Sequence, residues 1–237
     1  MPKGVPEEHD LASARVQPQI RSFVRRDSRI TPAQKEALAK HWDRCALPPI
    51  ETGADLTATF ARVAPRTLEI GSGDGACTLA LATGDPNTDF IAVEVYRPGL
   101  GHLIGRSVGA GLSNIRVSGA DVCDLLAPIG EAVFDRVLVF FPDPWPKKRH
   151  HKRRLLQAPF FQLLHPRLHR HGRAFIATDC EDYAESIIHT IEELPAWRNL
   201  AGAGRYAPRA SFRGVTKFER KAAAAGSRVF DIVLARA

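Results

Sequence analysis

Residues 140–157 read FFPDPWPKKRHHKRRLLQ, in which an apolar run is followed by alternating prolines and then by a dense basic run. The three prolines fix φ in their own residues and exclude the residue before each of them from the right-handed helical region. We therefore predict a rigid, extended turn. The run FDRVLVFF at 134–141 is rich in β-branched and aromatic residues, which is typical of a strand buried in a parallel sheet. Asp143 should then emerge at the carboxyl end of a strand, the edge at which open α/β sheets bind ligands.

The basic run that follows, Lys147–Arg154, holds six lysines and arginines in eight residues. The whole chain carries 33 Lys+Arg against 26 Asp+Glu, a formal net charge of +7, so these six side chains account for all but one unit of the excess. A charge run is often only a solvated face. Concentrating the excess in one cluster instead favours contact with a polyphosphate such as RNA.

Length and composition favour one main domain with an appended N-terminal segment. The chain has 237 residues, 44% of them hydrophobic, which is enough to bury one substantial core. Residues 1–20 are polar and rich in proline, and we expect a mobile arm there. A capping pattern that begins at Thr31 predicts a helix at 32–45. We place the boundary between an N-terminal extension, 1–59, and the main domain, 60–237.

The cysteines and the apolar runs indicate a reducing compartment. The four cysteines are isolated in the sequence, with no CxxC pair of the kind used for zinc or redox chemistry. We expect reduced thiols in a cytoplasmic protein. The N-terminal segment lacks the apolar core of a signal peptide, and no run approaches the ~20 apolar residues that span a bilayer, so we expect no membrane partner.

From residue 66 onward, short apolar runs alternate with helical segments, which is the pattern of βαβ units and a parallel sheet. We predict an α/β three-layer sandwich with a mostly parallel, seven-stranded sheet. Strands are predicted at 67–70, 90–95, 115–118, 134–141, 174–178 and 228–235, with a weaker one at 197–200, and helices at 76–82, 98–109, 154–164 and 181–193.

A glycine-rich loop and two acids follow the first three predicted strands. EIGSGDG at 69–75 allows a tight turn and a close approach of a ligand to the next helix N-terminus. Its GxGxG spacing differs from the GxGxxG of dinucleotide folds, which argues against an NAD oxidoreductase. Glu94 could accept hydrogen bonds from both hydroxyls of a ribose. Asp121 could accept from an adenine amino group, or equally cap a turn or helix.

Together with the 140–157 segment, these residues closely resemble the bacterial tRNA (guanine-N7-)-methyltransferases. The resemblance implies a class I S-adenosylmethionine-dependent methyltransferase with a Rossmann-like fold. It also implies S-adenosyl-L-methionine as cofactor, tRNA as partner, and methyl transfer to N7 of the variable-loop guanosine. The matching pieces are RSFVRR at 21–26, EIGSGDG at 69–75, AVEVYRPGL at 92–100, FFPDPWPKKRHHKRRL at 140–155, TDCEDYAE at 178–185 and TKFER at 216–220.

The resemblance further implies roles for single residues. Cofactor-binding residues would be Glu69, Gly71, Gly73, Gly75, Glu94, Asp121 and Asp143, with Asp143 also catalytic. Substrate-binding residues would be Lys147, Asp179, Thr216, Lys217, Phe218 and Glu219. RNA-binding residues would be Arg25, Arg26, Arg149, His150, His151, Lys152, Arg153 and Arg154. The chain departs from the family after Arg220, where KAAAAGSRVFD at 221–231 replaces a glycine after the basic pair and a Gly-His before a Trp-Asp.

The implied reaction suits the residues at hand. Guanine N7 has an in-plane lone pair and no proton, so methyl transfer to it needs alignment and exclusion of water, and no general base. A carboxylate at Asp143 could accept from the N1 and N2 hydrogens of guanine and stabilise the positive charge that reaches the purine. Trp145 could stack on a base or pack into the core.

Other functions fit the sequence less well. A non-catalytic RNA-binding scaffold would have no physical need for four acids at a site meant to attract RNA. A small-molecule methyltransferase would leave the cluster Lys147–Arg154 unexplained. His165, His169 and His171 have a spacing that resembles a metal site, but arginines lie among them, so we expect a solvated basic turn and no metal. We expect no DNA partner, and the sequence leaves a monomer and a homodimer both open.

Overall fold

The computed structural model describes residues 23, 29–214, 219–220 and 226–237. Helices and strands alternate along these residues, as predicted. The strands are β1 Arg66–Ile70, β2 Asp89–Val93, β3 Ile115–Ser118, β4 Phe134–Phe140, β5 Leu168–Thr178, β6 Trp197–Asn199 and β7 Phe230–Arg236. The α-helices are α1 Pro32–Cys45, α2 Thr57–Phe60, α3 Ala76–Gly84, α4 Arg97–Gly109, α5 Val122–Leu126, α6 Ala158–Leu164 and α7 Glu181–Glu192. Two short 3-10 helices lie at Lys148–Arg153 and His165–Arg167.

The strands form one seven-stranded sheet in the order β3-β2-β1-β4-β5-β7-β6. β1 to β5 are parallel to their neighbours, while β7 runs antiparallel to β5 and β6. The carboxyl ends of β1 to β5 therefore meet at one edge of the sheet, which we call the carboxyl edge. The strand order reverses between β1 and β4, so a crevice for a ligand is expected at that point of the edge.

Helices cover both faces of the sheet, which confirms the predicted three layers. One hydrophobic cluster joins α5, α6 and α7 to side chains of the sheet such as Leu68 and Ile176. A second cluster on the other face joins α1 and α4 to Phe90 and Ala92. Neighbouring residues of β2 point to opposite clusters, as the two-residue period of a strand requires.

The helix predicted at 32–45 is confirmed, and its N-terminus is capped as its sequence indicates. The Thr31 hydroxyl accepts from the backbone of Gln34 at 3.3 Å, and the Gln34 side chain accepts from the backbone of Thr31 at 2.9 Å. This helix packs against α4 within the second cluster, so packing is continuous across the boundary placed at residue 60. The division into an extension and a main domain stays a prediction.

Two local predictions need correction, and two short helices were not predicted. The helix expected at 154–164 begins at Ala158, because Pro159 suits the first turn of a helix and not its interior. β5 begins at Leu168 and not at 174. The prediction missed its first residues because they are polar and lack the alternation of a half-buried strand. The helices α2 and α5 are too short to show a period in the sequence. No helix among the described residues is long and apolar enough to cross a membrane.

Candidate functional site

The carboxyl edge brings together the sequence-predicted acids and the glycine loop. The loop 71–75 follows β1, and Glu94 follows β2 directly. Asp121 follows β3, Asp143 follows β4, and Asp179 follows β5. Each of five neighbouring strands is thus followed by a glycine loop or an acidic residue at the same edge. These residues lie on both sides of the point where the strand order reverses.

The glycines of the loop are required by its backbone. Gly71, Gly73 and Gly75 have φ of 74°, 59° and 77°, in the left-handed region that other residues adopt at a cost. A Cβ added to Gly71 or Gly73 would meet no heavy atom within 4 Å, so the backbone there borders open space. Gly99 of α4 lies against the loop, because a Cβ at Gly99 would be 2.1 Å from the carbonyl oxygen of Gly73.

Glu94 contacts this loop with one carboxylate oxygen and the backbone after β2 with the other. Gly73 N donates to Glu94 Oε2 at 2.7 Å, and Tyr96 N donates to Glu94 Oε1 at 2.8 Å. Burial raises the pKa of Glu94, the two backbone N–H groups lower it, and the negative charge of Asp143 raises it further. Glu94 and Asp143 are therefore electrostatic neighbours. Each Glu94 oxygen keeps a lone pair for a further donor such as a ribose hydroxyl.

Glu69 lies beneath the loop and not at its surface. This β1 residue is buried and accepts a hydrogen bond from the Thr78 hydroxyl of α3. Burial raises the pKa of Glu69 to about 7, against hydrogen bonds from Thr78 and Cys77 that lower it. The Cys77 thiol is itself poorly acidic, because burial and the nearby Glu69 raise its pKa. Glu69 therefore supports the loop from inside, and its assignment to the cofactor site stays a prediction.

The turn that carries Asp143 is kinked, whereas the sequence predicts an extended one. Phe141 and Trp145, which precede prolines, take φ of 53° and 46°. The proline rings exclude the right-handed region, as predicted, but these two residues adopt the left-handed one and not the extended one. Phe141 N donates to the Ala177 carbonyl at 2.7 Å, which fixes the start of the turn to β5. Asp143 is exposed at the tip.

Arg154 is buried, unlike most of the basic cluster, and its assignment to the RNA-binding set stays a prediction. Its residue is only 4% exposed. Its guanidinium donates from Nε to the Pro144 carbonyl at 2.9 Å and from Nη2 to Asp182 of α7 at 2.5 Å. It also lies over the ring of Tyr183, 4.7 Å from the centroid. Arg154 thus fastens the turn around Asp143 to α7.

The rest of the basic cluster faces outward. Lys147, Lys148, Arg149 and Lys152 are exposed on or beside the 3-10 helix Lys148–Arg153. Arg153 lies over the half-buried ring of Trp145 at 4.9 Å, and the ring of His150 meets Trp145 edge-on at 5.9 Å. His151 lies 3.6 Å from Asp182. Trp145 is therefore neither in the core nor presented alone, but packed among basic side chains.

Asp121 forms a helix cap, one of the two roles that the sequence left open. Its carboxylate accepts from Cys123 N at 2.8 Å at the start of α5. The predicted contact with adenine stays a prediction. Asp179 is exposed after β5, next to the strand that carries Asp143.

Sequence reasoning missed a buried ionic network that holds Glu219. Arg213 is 1% exposed and donates to Glu219 Oε2 at 2.9 Å and to both oxygens of Asp231, at 3.0 and 2.9 Å. Arg209 donates to Glu219 Oε1 at 2.8 Å. The Arg213 guanidinium lies 5.5 Å from the ring centroid of Phe140, so the network reaches the end of β4. A lone acid in the apolar β7 run was the available signal.

Five predicted residues lie outside the described part of the chain. They are Arg25, Arg26, Thr216, Lys217 and Phe218.

Comparisons with known proteins identify the family of the chain. A family model described as "Putative methyltransferase" matches residues 63–232. The chain is 43% identical over 230 residues to a tRNA (guanine-N(7)-)-methyltransferase of Pseudomonas paraeruginosa, covering 97% of this chain and 93% of that relative. A relative of the same name from Ectopseudomonas mendocina is 44% identical over 218 residues, or 92% of each chain. The solved 16S rRNA methyltransferase KamB shares the fold at a TM-score of 0.54 and 13% identity, covering 81% of this chain and 96% of that one.

The fold and the sequence relatives together define a class I S-adenosylmethionine-dependent methyltransferase. Within that class, the chain belongs to the tRNA (guanine-N7-)-methyltransferase family. The resemblance drawn from the sequence motifs is confirmed.

The raised pKa of Glu69 gives a pH-dependent stability. Between its ordinary value of 4.5 and about 7, Glu69 keeps its proton in the folded protein and loses it in the unfolded chain. Its contribution to the free energy of unfolding is therefore present below pH 4.5 and is lost as pH rises through 7, by up to about 3 kcal/mol. Urea unfolding of wild type and Glu69→Gln should show a stability difference that shifts in favour of the variant from pH 5 to 8. A difference independent of pH would contradict the burial of Glu69.

The positions of Arg154 and Lys152 separate fold from RNA contact. Arg154→Ala removes charge-assisted hydrogen bonds to Pro144 and Asp182, and should lower the free energy of unfolding by about 2 kcal/mol or more. Lys152→Ala, two residues away and exposed, should leave unfolding unchanged and weaken tRNA binding. Chemical denaturation and fluorescence anisotropy with tRNA measure the two effects. Unchanged stability in Arg154→Ala would contradict the role of Arg154 in the fold.

Proposed function

We propose that the protein transfers the methyl group of S-adenosyl-L-methionine to N7 of the variable-loop guanosine of tRNA. One observation carries the proposal. The exposed carboxylate of Asp143 lies at the edge of the sheet beside Glu94, and a 3-10 helix rich in cations begins five residues later in the chain, at Lys148. An acid for the base and cations for the phosphates thus stand side by side.

The residues at the edge fit the nucleoside part of the cofactor. Gly71 and Gly73 leave open space beside backbone that a side chain would fill. Glu94 offers a carboxylate already oriented by two backbone N–H groups, with remaining acceptor capacity for the ribose. Asp121, which follows β3, is proposed to meet the adenine. When bound, the cofactor supplies an electrophilic methyl group on a sulfonium.

Asp143 is proposed to orient guanine and to stabilise the charge that develops on it. Its carboxylate has no hydrogen-bond partner among the described residues, so both oxygens are available for the N1 and N2 hydrogens. The negative charge stabilises the purine as it becomes positive in the transition state. Direct transfer to the N7 lone pair needs no nucleophile from the protein, and burial raises the pKa of the Cys77 thiol beneath the glycine loop.

The cations that follow the Asp143 turn are proposed to bind the tRNA backbone around the target. Lys147, Arg149 and Lys152 are exposed on or beside the 3-10 helix, and the half-buried Arg153 ends it. Asp179, at the end of the neighbouring strand, is proposed to contact the substrate nucleotide. The N-terminal extension 1–59 would bring Arg25 and Arg26 to the same RNA. We also propose a cytoplasmic location, because free cysteines suit a reducing compartment.

A labelling experiment tests the function directly. The purified protein is incubated with isotopically labelled S-adenosylmethionine and unmodified tRNA, and the modified base is mapped by N7-specific chain cleavage. Label at one variable-loop guanosine is expected. tRNA binding without label at any guanosine would favour the non-catalytic RNA-binding scaffold.

Asp143→Asn keeps the size and polarity of the side chain and removes its charge. We expect kcat to fall at least about tenfold, with smaller changes in the affinity for either ligand, because the interaction is stronger in the transition state. Asp179→Asn is the matched control on the adjacent strand, and should raise the KM for tRNA with little change in kcat. A wild-type single-turnover rate in Asp143→Asn would reduce Asp143 to a turn residue.

A further inference from the structure

The amino edge of the sheet, opposite the carboxyl edge, carries a bulge of basic residues. Leu168 of β5 pairs with Phe134, but Arg173 pairs with Arg136, so β5 holds extra residues between the two pairs. The extra residues include His169, Arg170 and His171, all exposed. A bulge of this kind re-aims side chains, and here it directs three successive basic residues away from the sheet.

Two adjoining cavities surround this bulge, and we call them together the distal groove. The first, of about 470 Å³, is lined by Ala132, His169, Arg170, His171, Arg198, Arg236 and Ala237. The second, of about 430 Å³, shares His171 and adds Arg136, Arg173 and Phe212. Phe212 directly precedes the buried Arg213, whose guanidinium lies over the ring of Phe140 at the end of β4.

The charge of the distal groove is largely uncompensated. Among the described residues, Arg170, Arg173 and Arg198 have no ion pair or side-chain hydrogen bond. Arg136 approaches Asp85 only at 3.8 Å, and Arg236 donates to the Leu168 carbonyl at 3.0 Å. The one acid in the lining, Asp135, already accepts from Arg66 N at 2.8 Å. Clustered like charges oppose one another, and an anion would relieve that repulsion.

We propose that the distal groove binds phosphate groups, and that its occupant is the phosphodiester backbone of the bound tRNA. Arginine presents planar donor forks that match phosphate oxygens, and cavities of this volume fit a unit of nucleotide size. The inference rests on the proposed function for the identity of the RNA. β4, which pairs with β5 on both sides of the bulge, runs from Phe134 to Phe140, so the first cavity lies roughly 20 Å from the carboxyl edge. It is therefore a separate contact, away from the target base.

A salt titration tests the proposal. Arg170→Ala with Arg198→Ala removes two cations from the first cavity, while Arg44→Ala with Arg106→Ala removes two exposed cations that line neither cavity. Each phosphate contact contributes about 0.7 to 0.9 to the slope of log affinity against log salt. The groove variant should flatten the slope for tRNA by about 1.4 to 1.8. The control variant should keep the wild-type slope.

The outcomes separate the groove from the function. A groove variant with the slope of the control overturns the proposal, even where wild type methylates tRNA normally. A flattened slope supports it, even where N7 methylation fails. Calorimetry with tripolyphosphate adds the other source of phosphate. Loss of tripolyphosphate binding in the groove variant with an unaltered tRNA slope would show a small anion as the occupant and overturn the assignment to RNA.

Discussion

The presentation of Asp143 depends on one buried cation, the guanidinium of Arg154. The turn that carries Asp143 includes two non-glycine residues in the left-handed region, which cost of order 1–3 kcal/mol each. Arg154 compensates by donating to the Pro144 carbonyl inside the turn and to Asp182 on α7, with Tyr183 packed beneath. A strained turn is thereby held in one position. The role proposed for Asp143, to align a purine, would require such a fixed support.

The carboxyl edge concentrates acids at different depths. Glu69 is buried and holds its proton to about pH 7, while Glu94 is half-buried and oriented by two backbone N–H groups. Asp143 is exposed and adds negative potential to Glu94. The basic residues begin only after this turn, at Lys147. Acidic and basic side chains are thus separated along a few residues of one loop.

Much of the fold could be predicted from the sequence, because buried strands and capped helices leave periodic patterns. The positions of Glu94 and Asp143 followed from the ends of those strands. What could not be predicted was burial of charge: the letters show Arg153 and Arg154 as equals, yet only Arg154 turns inward. Asp231 stands out as the lone acid of the apolar β7 run, but its partner Arg213 lies 18 residues away, so the sequence did not show which cation it meets. The sequence predicted a turn at His169–His171, because all the side chains there are polar and exposed.

We propose that the carboxyl edge binds the nucleoside of the cofactor through Glu94. Titration calorimetry of wild type and Glu94→Gln with S-adenosylhomocysteine measures it without requiring RNA or catalysis. The amide keeps the shape of the side chain but loses the charge that strengthens hydrogen bonds from both ribose hydroxyls. The folded Glu94→Gln variant should bind S-adenosylhomocysteine at least about tenfold more weakly than wild type, a loss of about 1.4 kcal/mol. Equal affinity in the folded variant would contradict the proposal and place the cofactor elsewhere on the sheet.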